Sequence, residues 1–328
     1  MLEIVILSIS IGLALAYAYG NGMNDAANAI ATVISTRVLT PAVAVLMAGV
    51  LNLLGALTGT AVAKTLGKGI IDPSNMTQYA VISAIGASVI WVTIATRQGW
   101  PVSVSHSLIA GVMGAGIAVA GVGALDGSIV IKVLLALALS PILGILGGFL
   151  FMLLLYWFFR RRSPTAVNAV GSKLQLVAAA FLSYSHGKND GQNAMGMIAL
   201  SWAVYQVQPL SIELWMVLAS ALAIGLGTAL GGMRVIRTLG MRVTRLEPIN
   251  GFAANAMAAA IIEGASNMGL PVSTTHTSTA TILGVGATRR LSAVRWGVTR
   301  NIMLAWLITY PTCFALGWTL AKLTGFLP

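Results

Sequence analysis

About ten apolar runs, each near or above the ~20 residues that a helix needs to cross a bilayer, take up almost all of this chain. They fall at about 2–36, 40–63, 78–97, 102–121, 128–158, 173–206, 211–232, 247–266, 271–287 and 296–326. The expected fold is all-α and polytopic, with about ten crossings. Only 8% of the 328 residues are charged and 57% are hydrophobic, against roughly 25% charged in a soluble domain. That leaves too little polar surface to cover a water-soluble core. A disordered chain, a nucleic-acid binder and a disulfide scaffold are excluded, the last because Cys313 is the one cysteine. The net charge of +11 comes from basic residues in short bursts between apolar runs. That is a positive-inside pattern rather than a nucleic-acid footprint. Residues 2–19 have no basic start and no clear small-residue cleavage site, so they read as a retained helix.

Internal repetition constrains the chain next. Gly22-Met23-Asn24-Asp25-Ala26-Ala27-Asn28 returns as Gly187-Lys188-Asn189-Asp190-Gly191-Gln192-Asn193. Gly59-Thr60 returns as Gly227-Thr228, and Thr65-Leu66-Gly67 as Thr238-Leu239-Gly240. Gly99 to His106, through Pro101-Val102-Ser103-Val104-Ser105, returns as Gly269 to His276, through Pro271-Val272-Ser273-Thr274-Thr275. The offsets of 165, 168, 173 and 170 residues are nearly constant, which indicates duplication. The expected organisation is a first repeat at 1–158, a cytoplasmic linker at 159–172 containing Arg160, Arg161 and Arg162, and a second repeat at 173–328. Five crossings per half, an odd number, invert the second repeat against the first, as in many secondary transporters. With the arginines at 160–162, 234–245 and 289–300 inside, both termini are expected outside.

Two kinds of polar block interrupt the apolar runs. An ionised Asp at a helix centre costs ~2.5–3.5 kcal/mol, so Asp25 and Asp190 need a cation, a proton or a basic partner. Asn24, Asn28, Asn189 and Asn193 add the oxygen ligands that a hard cation takes. Gly22 and Gly187 are expected to let the helix break there and free backbone carbonyls as further ligands. The plainer role is a pair of buried helix caps. In the second block, Pro and then hydroxyl residues mark helix starts. A helix N-terminus offers unpaired donors and partial positive charge to an oxyanion. The plainer role there is Ser/Thr packing between membrane helices. Duplication at matched positions favours the ligand reading of both blocks. His106 and His276 have no carboxylate at metal-ligand spacing, so they read as satisfied structural histidines beside the site. His186 and Lys188 flank only the second motif, where anion attraction or proton coupling fits them. Glu263 is either a functional intramembrane acid or one that reaches the interface.

At these blocks the chain resembles the inorganic phosphate transporter (PiT) family. The resemblance rests on the two G-x-N-D-x-x-N motifs and the two P-V-S-x-[ST]-H motifs. It extends to Gly251-Phe252-Ala253-Ala254, to Leu283-Gly284-Val285-Gly286, and to His186 through Gln192, which is similar to the low-affinity bacterial branch. It implies a symporter that imports inorganic phosphate by alternating access. It carries phosphate contacts over to Ser103, Ser105, Ser273, Thr274 and Thr275, with Asn28 and Asn193 nearby. It carries cation coordination over to Asn24, Asp25, Asn189 and Asp190, with sodium there if sodium is the coupling ion. His106, His186, Glu263 and His276 are accessory candidates. Asn193 stands where the low-affinity branch often has Lys, which restores a ligand set suited to sodium. Asn255 stands where relatives often have an acid, which argues mildly against proton coupling.

Three other classes stand beside that one. A sulfate or other oxyanion permease uses the same scaffold. An anion channel needs no cation site, and an intramembrane hydrolase lacks a matched acid–base pair here. The chain is therefore expected to be no enzyme and to need no cofactor beyond its coupling ion, sodium or proton. The expected location is the plasma membrane. The expected partners are inorganic phosphate, the cation and the lipid bilayer, with a homodimer left open and no nucleic acid.

Overall fold

The computed structural model describes residues 1–325 and is all-α. The first half runs α1 (Leu2–Ser35), α2 (Pro41–Ala56), α3 (Ala61–Lys64) with a π-turn at Thr65–Gly69, α4 (Gln78–Gln98), α5 (Val104–Ala120) and α6 (Gly127–Phe159). The second half repeats that order: α7 (Pro164–Gln206), α8 (Leu214–Leu230), α9 (Met233–Arg237) with a π-turn at Thr238–Arg242, α10 (Pro248–Asn267), α11 (Thr274–Ala287) and α12 (Trp296–Thr324). Of the expected second half, residues 326–328 lie outside the described residues. The expected linker at 159–172 is mostly helix. Ser163 caps the backbone N–H of Ala166 and Pro164 takes the first helical position, so α7 starts there.

The helices do not break at Asn24 or Asn189, as expected above; α1 and α7 run unbroken through both motifs. Gly22 and Gly187 bring backbones together instead. A Cβ at Gly22 would lie 2.7 Å from the Thr228 amide nitrogen, and one at Gly187 2.5 Å from the Asn52 Cα. The helical hydrogen bonds stay intact, so no carbonyls are freed and ligands must come from side chains. The breaks fall elsewhere, between α2 and α3, bent by 65°, and between α8 and α9, bent by 58°.

By length and composition, five helices among the described residues can cross a membrane, seven if each bent pair is one span, against the about ten expected. The shortfall falls on α5, α10 and α11, which belong to the hairpins α4–α5 and α10–α11. α5 has 17 residues and α11 has 14, about 25 and 21 Å at 1.5 Å per residue, short of a ~30 Å hydrocarbon core. Each hairpin leaves and returns on one face. Ile71 bridges Leu125 beside the first, and the Arg295 N–H bonds the Val243 carbonyl at 3.0 Å beside the second. On the first of these faces Asp126 caps α6, and the Ser128 hydroxyl, then the Ile129 N–H, hold its carboxyl below the usual carboxylate range.

Both hairpin turns close alike. Gly99 and Gly269 adopt left-handed φ of 73° and 69°. The N–H of the next residue, Trp100 or Leu270, bonds back to Ala95 or Ala265 at 2.9 Å. Gly269→Ala is expected to cost about 1–2 kcal/mol for the left-handed backbone alone, because the nearest atom to its Cβ is an ordinary 3.4 Å away. Thermal unfolding in detergent tests this; an unchanged Tm would show that the turn does not need this conformation.

Two buried apolar clusters hold the bundle. α1 gives Ala14, Tyr17 and Ala18 to the first and Ala26 through Val33 to the second, with Asn21 to Asp25 between. α7 does the reverse. Ala179 and Leu182 join the second and Ala194 through Leu200 the first, with His186 to Asn193 between. The two long helices therefore run antiparallel, and their polar motifs meet at one level. Outside, α6 shows Ile131, Leu135, Ile142, Leu146, Leu150 and Leu154 to the surroundings. A stripe of that length suits lipid rather than water. The chain is a multi-pass membrane protein.

Candidate functional site

The site forms where α1 and α7 pass the tips of both hairpins. Asn24, Asp25, Asn28, Ser103, Ser105, Asn189, Asp190, Asn193, Ser273, Thr274 and Thr275 all come together there, and none is more than 2% exposed. Asn24 on α1 bonds the first hairpin, to the Thr96 hydroxyl at 2.8 Å and the Trp100 carbonyl at 3.4 Å. Asn189 on α7 bonds the second in the same way, to Ser266 at 2.9 Å and the Leu270 carbonyl at 3.4 Å. One turn further along, the partners cross over. Asn28 donates to Thr275 at 3.1 Å and to Thr274 at 3.4 Å, both on the second hairpin. Asn193 donates to Ser105 at 3.0 Å, on the first.

Ser103 and Ser273 cap α5 and α11, accepting from the His106 and His276 N–H groups at 3.2 and 3.1 Å. Pro101 and Pro271 sit ahead of these caps rather than inside the first turn. The other first-turn N–H groups have no partner within their helix, so each hairpin turns a donor-rich end toward the centre.

The negative charge is concentrated between these ends. Asp25, His186 and Asp190 present ligand atoms within 4.8 Å of one another. The Thr274 hydroxyl lies 3.2 Å from Asp25 Oδ2 and 3.1 Å from Asp190 Oδ2. Its one proton serves only one of them at a time. Thr275 reaches Asp25 Oδ1 at 2.9 Å and the Val102 carbonyl at 3.1 Å. His186 Nε2 is 3.2 Å from Asp190 and 3.9 Å from Asp25, while its Nδ1 faces Asn52. With its amide nitrogen turned toward the carboxylates, Asn21 donates to both, at 3.3 and 3.2 Å.

The side-chain carbonyl oxygens of Asn24, Asn28, Asn189 and Asn193 are buried without a hydrogen-bond partner, as is Asp190 Oδ1. Buried acceptors are nearly always satisfied. Oxygens of this kind beside two carboxylates form the donor set a hard monovalent cation takes.

The accessory candidates divide. His186 lies in the centre. His106 and His276 lie behind it, rings 4.6 Å apart, with His276 3.8 Å from Trp306. They were expected to be satisfied, but His106 Nδ1 and His276 Nε2 are buried without partners. Glu263 is not at the centre; it pairs with Lys188 on the flank of the site. Asn255 accepts from Thr32 at 3.0 Å, one turn beyond Asn28 on α1. Sequence reasoning missed Tyr17, which lies 3.4 Å from Asn193, and also Asn21, Asn52, Thr96 and Ser266. Thr96 and Ser266 carried a signal, since each is a hydroxyl three residues before a repeated glycine.

Comparison with known proteins gives one answer from three directions. A family model described as "Phosphate transporter family" matches residues 21–317. A probable low-affinity inorganic phosphate transporter of Rhizobium meliloti (strain 1021) is 42% identical over 294 residues, covering 89% of this chain and 88% of that protein. One from Bacillus subtilis (strain 168) is 42% identical over 301 residues, covering 90% of each. A solved structure described as "The sodium-dependent phosphate transporter" superposes with a TM-score of 0.93 at 27% identity, over 99% of this chain and 100% of that one.

Proposed function

The chain belongs to the phosphate transporter family, and on that premise we propose that it imports inorganic phosphate by cation symport with alternating access, sodium being the cation. The observation that carries this reading is the set of orphaned, buried asparagine oxygens around Asp25 and Asp190. Asn24, Asp25, Asn189 and Asp190 hold the cation. Ser103, Ser105, Ser273, Thr274 and Thr275, with Asn28 and Asn193, contact phosphate at the two helix starts. The sodium dependence of the superposing transporter supports the choice of ion.

Physical need points the same way. Each elementary charge costs ~2.3 kcal/mol per 100 mV. A phosphate dianion entering a cell at about −100 mV therefore meets roughly 4.6 kcal/mol of opposition. Cations bound beside it offset that charge. The antiparallel course of α1 and α7 and the matched bonds of Asn24 and Asn189 support two inverted repeats, which exchange roles as access alternates. The first hairpin's tip lies at Arg97 and Arg234, whose guanidinium donates to the Arg97 carbonyl. Both arginines are exposed. The positive-inside rule makes that face cytoplasmic and puts both termini outside the plasma membrane.

Radiolabelled phosphate uptake into proteoliposomes tests the proposal, with a sodium gradient, a proton gradient, and excess sulfate as competitor. The expected result is sodium-driven uptake that sulfate does not reduce. Uptake driven only by protons would overturn the sodium assignment and move coupling to His186, beside Asp190. Absence of uptake under both gradients, or strong competition by sulfate, would overturn phosphate symport.

A further inference from the structure

Lys188 has no counterpart in the first half. It stands one residue ahead of Asn189 on α7, and both reach the second hairpin. Asn189 takes Ser266 and the Leu270 carbonyl; Lys188 takes Glu263 and, at 2.6 Å, Asn267. Asn267 also donates to Glu263 at 3.4 Å. Residues 263, 266, 267 and 270 form one stripe along α10 and the turn after it. In the first half, Met23 stands where Lys188 does and Thr93 where Glu263 does, at the offsets of 165 and 170 residues set by the motifs. The polar contacts between α1 and the first hairpin are those of Asn24 and of the Tyr17 hydroxyl, which donates to the Val104 carbonyl at 3.3 Å, with no ion pair among the described residues. The contact between α7 and the second hairpin adds an ion pair.

Its depth matters. The Lys188 and Glu263 side chains are 13% and 20% exposed, whereas Asn189 and Asp190 are at 0%. The pair sits at the boundary between the closed centre and the surface. The tip of the second hairpin touches Ala61 and Thr65, whose hydroxyl donates to the Gly269 carbonyl at 2.8 Å. The tip of the first touches Arg234 and Thr238 instead. The ion pair thus belongs to the tip remote from the arginines, on the outer side. Parting the second hairpin from α7 separates two half-buried charges, and only entering water then stabilises them. The pair biases this contact toward closure in a way the first half lacks.

We propose that the Lys188–Glu263 pair, with Asn267, is the outer latch of the transport route. It holds the second hairpin against α7 while the site is closed, and its release opens the site outward. The proposal rests on the transport reading of the site.

The test uses the full chain in proteoliposomes, with Cys313→Ala and a reporter Leu270→Cys. Leu270 packs half-buried at the tip. A membrane-impermeant maleimide added outside reads its exposure. Lys188→Met, Glu263→Thr and the two combined, which copy the first half, are each expected to label at least fivefold faster. The exchanged pair, Lys188→Glu with Glu263→Lys, is expected to return within twofold of the parent. The Met/Thr combination leaves no charge unpaired, so misfolding of a single variant does not remove the test. Labelling at the parent rate in the combined variant, or fast labelling in the exchanged pair, would overturn the latch. Phosphate uptake by the same vesicles separates the two readings. A parent that transports while labelling is unchanged sinks the latch alone; a parent that takes up no phosphate under either gradient sinks both.

Discussion

Asp190→Asn and Asp25→Asn are each expected to lower sodium-driven phosphate uptake by at least 100-fold while leaving the fold intact. Both carboxylates are at most 1% exposed, and both lie against the same Thr274 hydroxyl. Among the described residues the cationic partner either one meets is His186, and only when it is protonated. Two anions this close need positive charge from elsewhere. A unit charge about 4 Å from a bound cation contributes about 4 kcal/mol at an effective dielectric of 20, close to three orders of magnitude in affinity. Asn keeps the shape and one acceptor oxygen but removes that term. The folded protein loses a buried charge, so its thermal stability should hold or rise. The checks are uptake against sodium concentration and Tm in detergent. Uptake within tenfold of the parent would remove the aspartates from cation binding. Phosphate flux that ignores the sodium gradient in both variants and parent would favour a channel.

Gly187→Ala is expected to destabilise the protein by about 3 kcal/mol, the upper end of overpacking costs. Its Cβ would lie 2.5 Å from the Asn52 Cα and 2.6 Å from the Asn52 carbonyl carbon. Those are backbone atoms of α2, which cannot rotate aside. The other side of this contact is equally close, since a Cβ on Gly55 would lie 2.9 Å from the Lys188 amide nitrogen. Parting α2 from α7 also takes Asn52 away from His186. Against a total stability of about 5–15 kcal/mol, that loss is a large share. Gly264→Ala is the control. Nothing lies within 4 Å of its Cβ, and removing a helical glycine gains up to about 1 kcal/mol. Thermal unfolding of both variants in one detergent decides the matter. Equal Tm values would show that α2 and α7 tolerate separation.

The role of a glycine is set by its neighbours in space and not by its neighbours in the chain. Gly22 and Gly187 stand directly before the polar motifs, and a break in the helix was a fair expectation. Whether a glycine bends a helix or lets another approach depends on what lies opposite, and Thr228 and Asn52 lie far away in the chain. The hairpins were half legible. Ser103 and Ser273 start helices, as their caps foretold, because capping is a local bond between residues three apart. That these helices pair with α4 and α10 as hairpins whose tips meet required the whole bundle. Asn52 and Tyr17 went unnoticed and Asn21 was given no role, since a lone polar residue in an apolar run has many ordinary uses.

By itself the sequence determined the solvent, the repeated motifs and the side-chain types available to a ligand. Hydropathy, a constant offset and side-chain type are properties of the chain in one dimension, and no packing detail changes them. The tertiary structure alone decided which groups meet. Asn28 finds Thr274 246 residues away, and Asn193 reaches back 88 residues to Ser105. Each half of the chain thereby hydrogen-bonds the other half's hairpin. Such pairings follow from the antiparallel passage of α1 and α7 between two hairpins, and they exist only once those four elements are packed.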